Sequence, residues 1–319
     1  MAEQQGFISF LPDLGVIAAT GEDASDFLHN QLTNDVLGLS EDSARLAGYC
    51  SPKGRLLATM LVWKAADSYF LMLPKSLLAA TQKRLQMFVL RAKVKLEDAS
   101  DRLSVAGIGL PSGAGATVFP AAAYQRGDLA EGVMIRMPDA AGFARALWVG
   151  PASQAPSLNT VLPSGLTTAS ASLWRWTDIQ AGLPQILEAT REQFVPQMVN
   201  FELVGGVNFR KGCYPGQEIV ARSQYLGKLK RRMLLSSVDA LDALDAPEAA
   251  PGTEVYSDSD PGQPCGMIVN AERGPDARLA CLVELKMEMA ESGAGIRLGS
   301  PSGPPLQFSP LPYSLDATV

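Results

Sequence analysis

Residues 56–63 read Leu-Leu-Ala-Thr-Met-Leu-Val-Trp, apolar at every position but Thr59. A run this short and unbroken reads as a strand buried on both faces. Around it, strand and helix patterns are mixed. Residues 7–20 alternate enough for one or two strands, and 45–50 and 68–73 read as further strands. Ser51-Pro52-Lys53-Gly54 is a β-turn with Pro and Gly where such a turn takes them. Gly21-Glu22-Asp23 opens a helix with acids at its first turn. Along that helix Ala24, Phe27, Leu28 and Leu32 recur at i, i+3, i+4 and i+8, one buried face. Residues 77–90 give a second helix, and 93–97, 103–108, 133–137 and 145–149 give more strands. The Gly/Ala/Pro-rich stretch 111–127 reads as loop. Ser170 or Ser172 can cap a third helix over 173–180, ended by Gly182 and Pro184 in the usual order. Mixed strands with intervening helices point to the α+β class.

Past Lys228 the texture changes. Short apolar runs at 233–238, 253–256, 266–269, 279–285 and 295–298 alternate with Pro/Gly/Asp turns, which suggests a small β-barrel. Residues 240–251, acidic and alanine-rich, read as a loop or short helix. The expected division is a body over 1–227, itself two interleaved subdomains, and a C-terminal barrel over 228–319. At 319 residues the chain exceeds one ordinary core. With 47% apolar and 19% charged residues it has a globular composition, not a disordered one. No basic leader with an apolar run and no long uncharged apolar stretch is visible, so neither export nor a membrane span is expected. Cys50, Cys213, Cys265 and Cys281 lie far apart with no C-x-x-C, which suggests neither disulfides nor a metal site, and fits a reduced, cytoplasmic protein. One histidine, His29, argues against a catalytic triad; its place on an amphipathic helix predicts a structural or surface role.

The chemistry concentrates in Lys211-Gly212-Cys213-Tyr214-Pro215-Gly216-Gln217-Glu218. Gly205-Gly206-Val207-Asn208-Phe209 ahead of it reads as a turn and a short strand. A helix is expected from near Gly216 to a C-cap at Gly227. Cys213 then sits in a loop ahead of a helix N-terminus, where the dipole and Lys211 both favour a thiolate. The exposed N–H groups there can hold an anion. Gln217 and Glu218, in the first turn, can serve as ligand contacts or merely cap the backbone. From Arg210 to Arg232 seven basic residues stand against one acid, Glu218, inside a chain of net charge −6. Such an island suits an anionic partner.

Lys-Gly-Cys-Tyr-x-Gly-Gln-Glu followed by Ile-Val-Ala-Arg resembles the signature of the YgfZ family, folate-binding relatives of the glycine-cleavage T protein. Residues 27–36, Phe-Leu-His-Asn-Gln-Leu-Thr-Asn-Asp-Val, resemble that family's N-terminal motif. Residues 310–315, Pro-Leu-Pro-Tyr-Ser-Leu, resemble its C-terminal end. The resemblance implies a T-protein-like folate-binding body with a central cavity that Asn34 and Asp35 approach. Trp174 and Trp176 lie on different faces of one helix, and either core packing or cavity lining suits them. The resemblance selects Trp174 as the residue that stacks on folate. The family's N-terminal folate-contacting tryptophan falls on Leu14, a departure that alters that contact. Gln217, Glu218 and Arg222 complete the implied cofactor-binding set, with Cys213 as the reactive thiol and Lys211 beside it.

Three functions compete. The first, implied by the resemblance, is a tetrahydrofolate-binding accessory protein that supports iron–sulfur enzymes, including those that modify tRNA. The second is a folate-dependent aminomethyltransferase. The T protein's acidic pair follows a Gly-Gly hairpin, and the corresponding place here, Gly54-Arg55-Leu56-Leu57-Ala58-Thr59, holds no acid. The third is a binding module touching RNA through Lys228, Lys230, Arg231 and Arg232. The net charge of −6 argues against nonspecific RNA binding over the whole surface. The first reading is preferred.

Overall fold

A computed structural model describes residues 5–225, 229–239 and 249–316. Three sheets organise it. The first has the strand order Thr167–Ala169, Phe7–Phe10, Leu103–Pro111, Phe143–Pro151, Gly132–Ala140, Arg126–Leu129. Its first pair is parallel and the rest are antiparallel. The second, all antiparallel, runs Ala44–Cys50, Leu56–Ala65, Ser68–Pro74, Leu14–Thr20, Lys95–Asp98.

The apolar run at 56–63 is a strand buried on both faces, as its composition demands. Register explains what covers each face. Leu61 and Val16 both pair with Met72, while Val62 and Ile17 both pair with Leu71. Val16, Leu61 and Met72 face the first sheet and pack with Phe7, Ile135, Leu147 and Trp174. Ile17, Val62 and Leu71 face the other way, toward Phe27 and Leu28 of the helix Ala24–Gln31 and Leu77 and Leu78 of the helix Lys75–Gln86. The period-2 pleat thus splits one strand's side chains between two cores. The helix Ala171–Gln180 sets Trp174 into the core between the two sheets and also packs against the third sheet.

That third sheet has the order Ile296–Leu298, Glu254–Ser257, Asp260–Arg273, Leu279–Lys286, Arg231–Val238, Gln307–Ser309, and it curls into a half-barrel. It joins the rest through polar contacts. Asn270 exchanges two hydrogen bonds with the backbone of Gln185, and Tyr313 donates to the Gly182 carbonyl. Arg232 donates to buried Glu202 and, at 3.1 Å, to the Gln197 carbonyl.

Several local expectations need correction. The second helix stops at Gln86 rather than continuing to Leu90, which is 89% exposed with a positive φ of 39°. The 111–127 stretch contains a 3-10 turn and the start of the Arg126–Leu129 strand, an edge strand too short for its sequence to announce. No strand forms at 207–209. There Asn208 Oδ1 accepts the N–H groups of Arg210 and Lys211 and holds the chain in a turn. The helix after the signature loop is Gln217–Tyr225; Gly227 and most of 240–251 lie outside the described residues.

Candidate functional site

Lys211 reaches from the signature loop to the C-terminal end of the Ala24–Gln31 helix. Its ammonium donates to the carbonyls of His29 and, at 2.8 Å, Leu32. Two carbonyls without a helical partner thereby gain a cationic donor. Burial lowers the Lys211 pKa to about 8, against the raising influence of Asp35 and Cys213. The loop is fixed on its other side by two glycines in contact. Gly54 (φ 69°) and Gly216 (φ 80°) both have left-handed backbones. A Cβ on Gly216 would lie 2.4 Å from the Ser51 carbonyl oxygen, and one on Gly54 2.8 Å from Cβ of Ile219. The Ser51–Gly54 turn and the signature loop therefore interlock backbone against backbone. Tyr214 is buried beneath, while Cys213 is exposed at the surface. The other three cysteines are buried, and burial pushes the thiols of Cys50 and Cys281 up to about 12.

The residues 33–35 brace this arrangement. Thr33 donates to the Gly206 carbonyl and accepts from the Gly48 N–H. Asn34 donates to the carbonyls of Leu46 and Gly205, each at 2.7 Å. Asp35 lies 3.0 Å from Arg45 and 3.2 Å from Nδ1 of His29. Burial pushes the Asp35 carboxyl up, but the Gly38 N–H and Arg45 together outweigh it and hold it below its ordinary value. His29 is buried, in keeping with a structural role; burial and Lys211 depress its pKa against the pull of Asp35. Asn34, Asp35, Arg45, Tyr124, Asn208 and Arg210 line an open cleft of about 580 Å³.

A second, inner cavity lies between the first two sheets. Leu14, Leu46, Leu147, Trp174, Asp178 and Leu183 are among its walls, and Leu46 lines both it and the outer cleft. Trp174 is only 2% exposed. Its indole packs so tightly on Gly107 that a Cβ there would fall 2.1 Å from the ring. The Arg145 guanidinium carbon stands 4.5 Å from the ring centroid. Arg145 is fully buried, and Nη2 donates to Oδ1 of Asp178, while Nε and Nη1 have no hydrogen-bond partner among the described residues. Burial raises the Asp178 pKa, opposed by Arg145.

A folate-type ligand can be tested against this lining. A largely apolar cavity with Thr59, Asp178 and Gln185 as the polar groups in its wall has the chemistry to take a heterocycle with a polar edge. The volume is the restriction. About 70 Å³ holds roughly two waters at ~30 Å³ each. A pterin therefore enters only if side chains give way. Three of the walls are Met60, Met72 and Met137, unbranched and adaptable side chains. The residues fit the group in kind and require repacking in size.

The sequence-derived site residues thus separate. Leu14 and Trp174 share the inner cavity, and Asn34 and Asp35 line the outer cleft beside the Lys211 loop. Gln217, Glu218 and Arg222 line neither cavity; Glu218 and Arg222 point outward on the Gln217–Tyr225 helix. The basic island also divides. Arg232 is buried against Glu202 and cannot meet RNA, because its charge is already used inside. Arg231 lies 3.2 Å from Glu284, Lys230 is exposed, and Lys228 is outside the described residues. Arg145 was missed by sequence reasoning. Its one signal was a lone arginine inside the otherwise apolar strand Phe143–Pro151.

No family model matches the chain. It is 31% identical over 310 residues to the tRNA-modifying protein YgfZ of Vibrio vulnificus strain CMCP6, covering 97% of this chain and 93% of that one. It is 28% identical over 327 residues to the protein of the same name from Edwardsiella ictaluri, covering 96% and 92%. The fold matches the crystal structure of glycine cleavage system aminomethyltransferase T from Bartonella henselae with a TM-score of 0.75, 14% identity, and coverage of 97% of this chain and 86% of that one.

Proposed function

The chain belongs to the YgfZ family, and from that premise we propose that it is a tetrahydrofolate-binding accessory protein of tRNA modification. The observation that carries the reading is the inner cavity. It lies at the heart of a T-protein-like fold, and Leu14 and Trp174 are both in its wall. Bound tetrahydrofolate would supply nitrogen atoms able to carry a one-carbon unit. The chain's own part is to enclose the heterocycle among Leu14, Leu147, Leu183 and Trp174 and to keep bulk water from it. Asn34 and Asp35 act on the ligand only indirectly, since both are bound into the brace under the outer cleft. Gln217, Glu218 and Arg222 belong to a surface beside the exposed Cys213.

In this reading Cys213 is the reactive thiol that meets iron–sulfur client proteins or tRNA-modifying enzymes in the cytoplasm. Lys211 acts chiefly by fixing its loop to the Ala24–Gln31 helix. Arg222 and Lys230 are exposed and extend the docking surface. A deletion strain should lose iron–sulfur-dependent tRNA methylthiolation, restored by the wild-type gene and not by Cys213→Ala. Normal methylthiolation in the deletion strain would refute the accessory role.

The aminomethyltransferase reading has the fold on its side and the residues against it. Leu57 and Ala58, at the position of the T protein's acidic pair, are buried in a strand and exchange no proton. Asp178 is the carboxylate at the inner cavity, and one of its oxygens is engaged by Arg145. Glycine-cleavage turnover with purified partner proteins would reverse this preference.

A further inference from the structure

The seam between the first two sheets holds a second cavity, at the strand ends, which the folate reading leaves unused. The same strands wall both. Leu61, Met72, Met137 and Leu147 line the inner cavity; Trp63, Phe70, Val133 and Val149, an even number of residues along the same four strands, line this end pocket. Positions an even step apart share a face of a strand, so the two cavities lie in file along one seam. The end pocket is the larger, about 370 Å³ against about 70 Å³, and falls in the range of small-molecule sites. Trp63 and Phe70 stack with ring centroids 5.5 Å apart and, with Leu103, Val133 and Val149, make its apolar wall. Its charged groups are Arg126, Asp128 and Glu131. Arg126 is committed: Nη2 lies 2.8 Å from Oδ1 of Asp128, and Nη1 donates to the Glu41 carbonyl. Glu131 is exposed and has no ion pair among the described residues. Two carboxylates against one spent guanidinium leave the mouth negative. The turn that carries Glu131 is strained. Ala130 (φ 49°) and Glu131 (φ 57°) form the two-residue loop joining Arg126–Leu129 to Gly132–Ala140, and both are left-handed. Such hairpins favour Asn-Gly or Asp-Gly there, and non-glycine residues held in that conformation gather at ligand clamps.

We propose that this end pocket is a second ligand site, taking a small molecule with an apolar, ring-sized body and one amine. The body packs against Phe70, Val133 and Val149, and Glu131 with Asp128 holds the ammonium at the mouth. The chemistry follows from what the mouth offers. Ionised carboxylates only accept hydrogen bonds, so the ligand must donate, and a donor that is itself charged pairs with them most strongly. Among the described residues no uncommitted cation lines the pocket, so a carboxylate or phosphate ligand meets repulsion with nothing to offset it. The inference is independent of folate binding, since it uses none of the residues that line the inner cavity.

The test is a ¹H–¹⁵N NMR titration of the full chain with two compounds that share one body, phenethylamine and 3-phenylpropionate. Phenethylamine should shift the amides of Gly132, Val133 and Val149 saturably at millimolar concentrations. It should bind at least about ten-fold more tightly than the propionate, the lower end for a hydrogen bond to a charged group. Glu131→Lys, at an exposed turn position, should abolish that preference or reverse it. Ala65→Phe, which fills the pocket from the facing hairpin, should weaken phenethylamine binding; if that variant does not fold, Ala65→Leu takes its place. Absence of saturable shifts, shifts confined to residues outside the end pocket, or equal affinity of wild type for the two compounds overturns the proposal. So does an unchanged preference in Glu131→Lys, or undiminished binding in the Ala65 variant. Each of these results leaves the folate reading standing, because the titration contains no folate.

Discussion

Gly212 and Gly216 stand four residues apart in the signature loop, yet the structure asks different things of them. Gly216 has φ 80° and backbone of the Ser51–Gly54 turn pressed against its missing side chain. Gly212 has only ordinary van der Waals contact, with His29 Nε2 3.6 Å from an added Cβ. Gly216→Ala should therefore cost on the order of 1–3 kcal/mol, while Gly212→Ala should stay within about 0.5 kcal/mol of wild type. Urea unfolding of the two variants checks this, and equal losses would show that the interlock is not what requires glycine. The cysteines are equally distinct. Cys213 is exposed, and burial raises the thiols of Cys50, Cys265 and Cys281. Limiting iodoacetamide on folded protein should label Cys213 first, mapped by mass spectrometry; prior labelling of any other cysteine contradicts the placement. The sequence showed that residues 211–218 were unusual. It could not show that Lys211 aims at the carbonyls of a helix some 180 residues earlier, because that contact exists only once the chain has folded.

At the scale of elements, Lys211 links the signature loop to the Ala24–Gln31 helix. Lys211→Met should destabilise by about 1–2 kcal/mol at neutral pH, the range for charge-assisted hydrogen bonds less their desolvation. The pH dependence has a definite sign. The folded pKa is lowered from 10.5 to about 8 by burial, so between pH 8 and 10.5 the unfolded chain holds more protons on this group than the native one. Its contribution to stability must then rise with pH across that window. Chemical denaturation of wild type and Lys211→Met at several pH values from 7 to 10.5 should show the wild type gaining relative to the variant. A gap that is flat or closes would mean that the ammonium is not buried as described. Helices and long strands were legible where periodicity is strong, as at Ala24, Phe27 and Leu28 or along Leu56–Ala65. The short edge strand Arg126–Leu129 was not, since four residues containing Arg, Gly and Asp carry no alternation of their own.

Across the whole molecule, the half-barrel is fastened to the rest by buried polar groups as well as by apolar packing. Arg232 on the Arg231–Val238 strand meets Glu202, whose carboxyl burial pushes up against the pull of that arginine. Asn200 Nδ2 donates to the Met233 carbonyl at 2.7 Å, and its Oδ1 accepts the Met233 N–H. Arg232→Met strands a buried carboxylate and should cost roughly 3–5 kcal/mol; Arg232→Met with Glu202→Leu should recover much of it in thermal unfolding. No recovery would mean that the contact is not a paired one. The α+β class and the change of texture near residue 230 were visible from strand spacing and turn residues. The inner cavity was not, because its walls come from both sheets and from the segment after the Ala171–Gln180 helix, and no local pattern encodes that convergence. Arg145 and Asp178 are 33 positions apart and meet only through it. The central claim is that a folate occupies this inner cavity, and the adaptable methionines in its wall report on it directly. In protein labelled with ¹³C at the methionine methyls, anaerobic tetrahydrofolate should shift Met60, Met72 and Met137 saturably and leave Met287 and Met289, on the short helix Met287–Glu291 that follows a strand of the half-barrel, unmoved. Unshifted resonances at those three, or saturable shifts confined to other methionines, would contradict it.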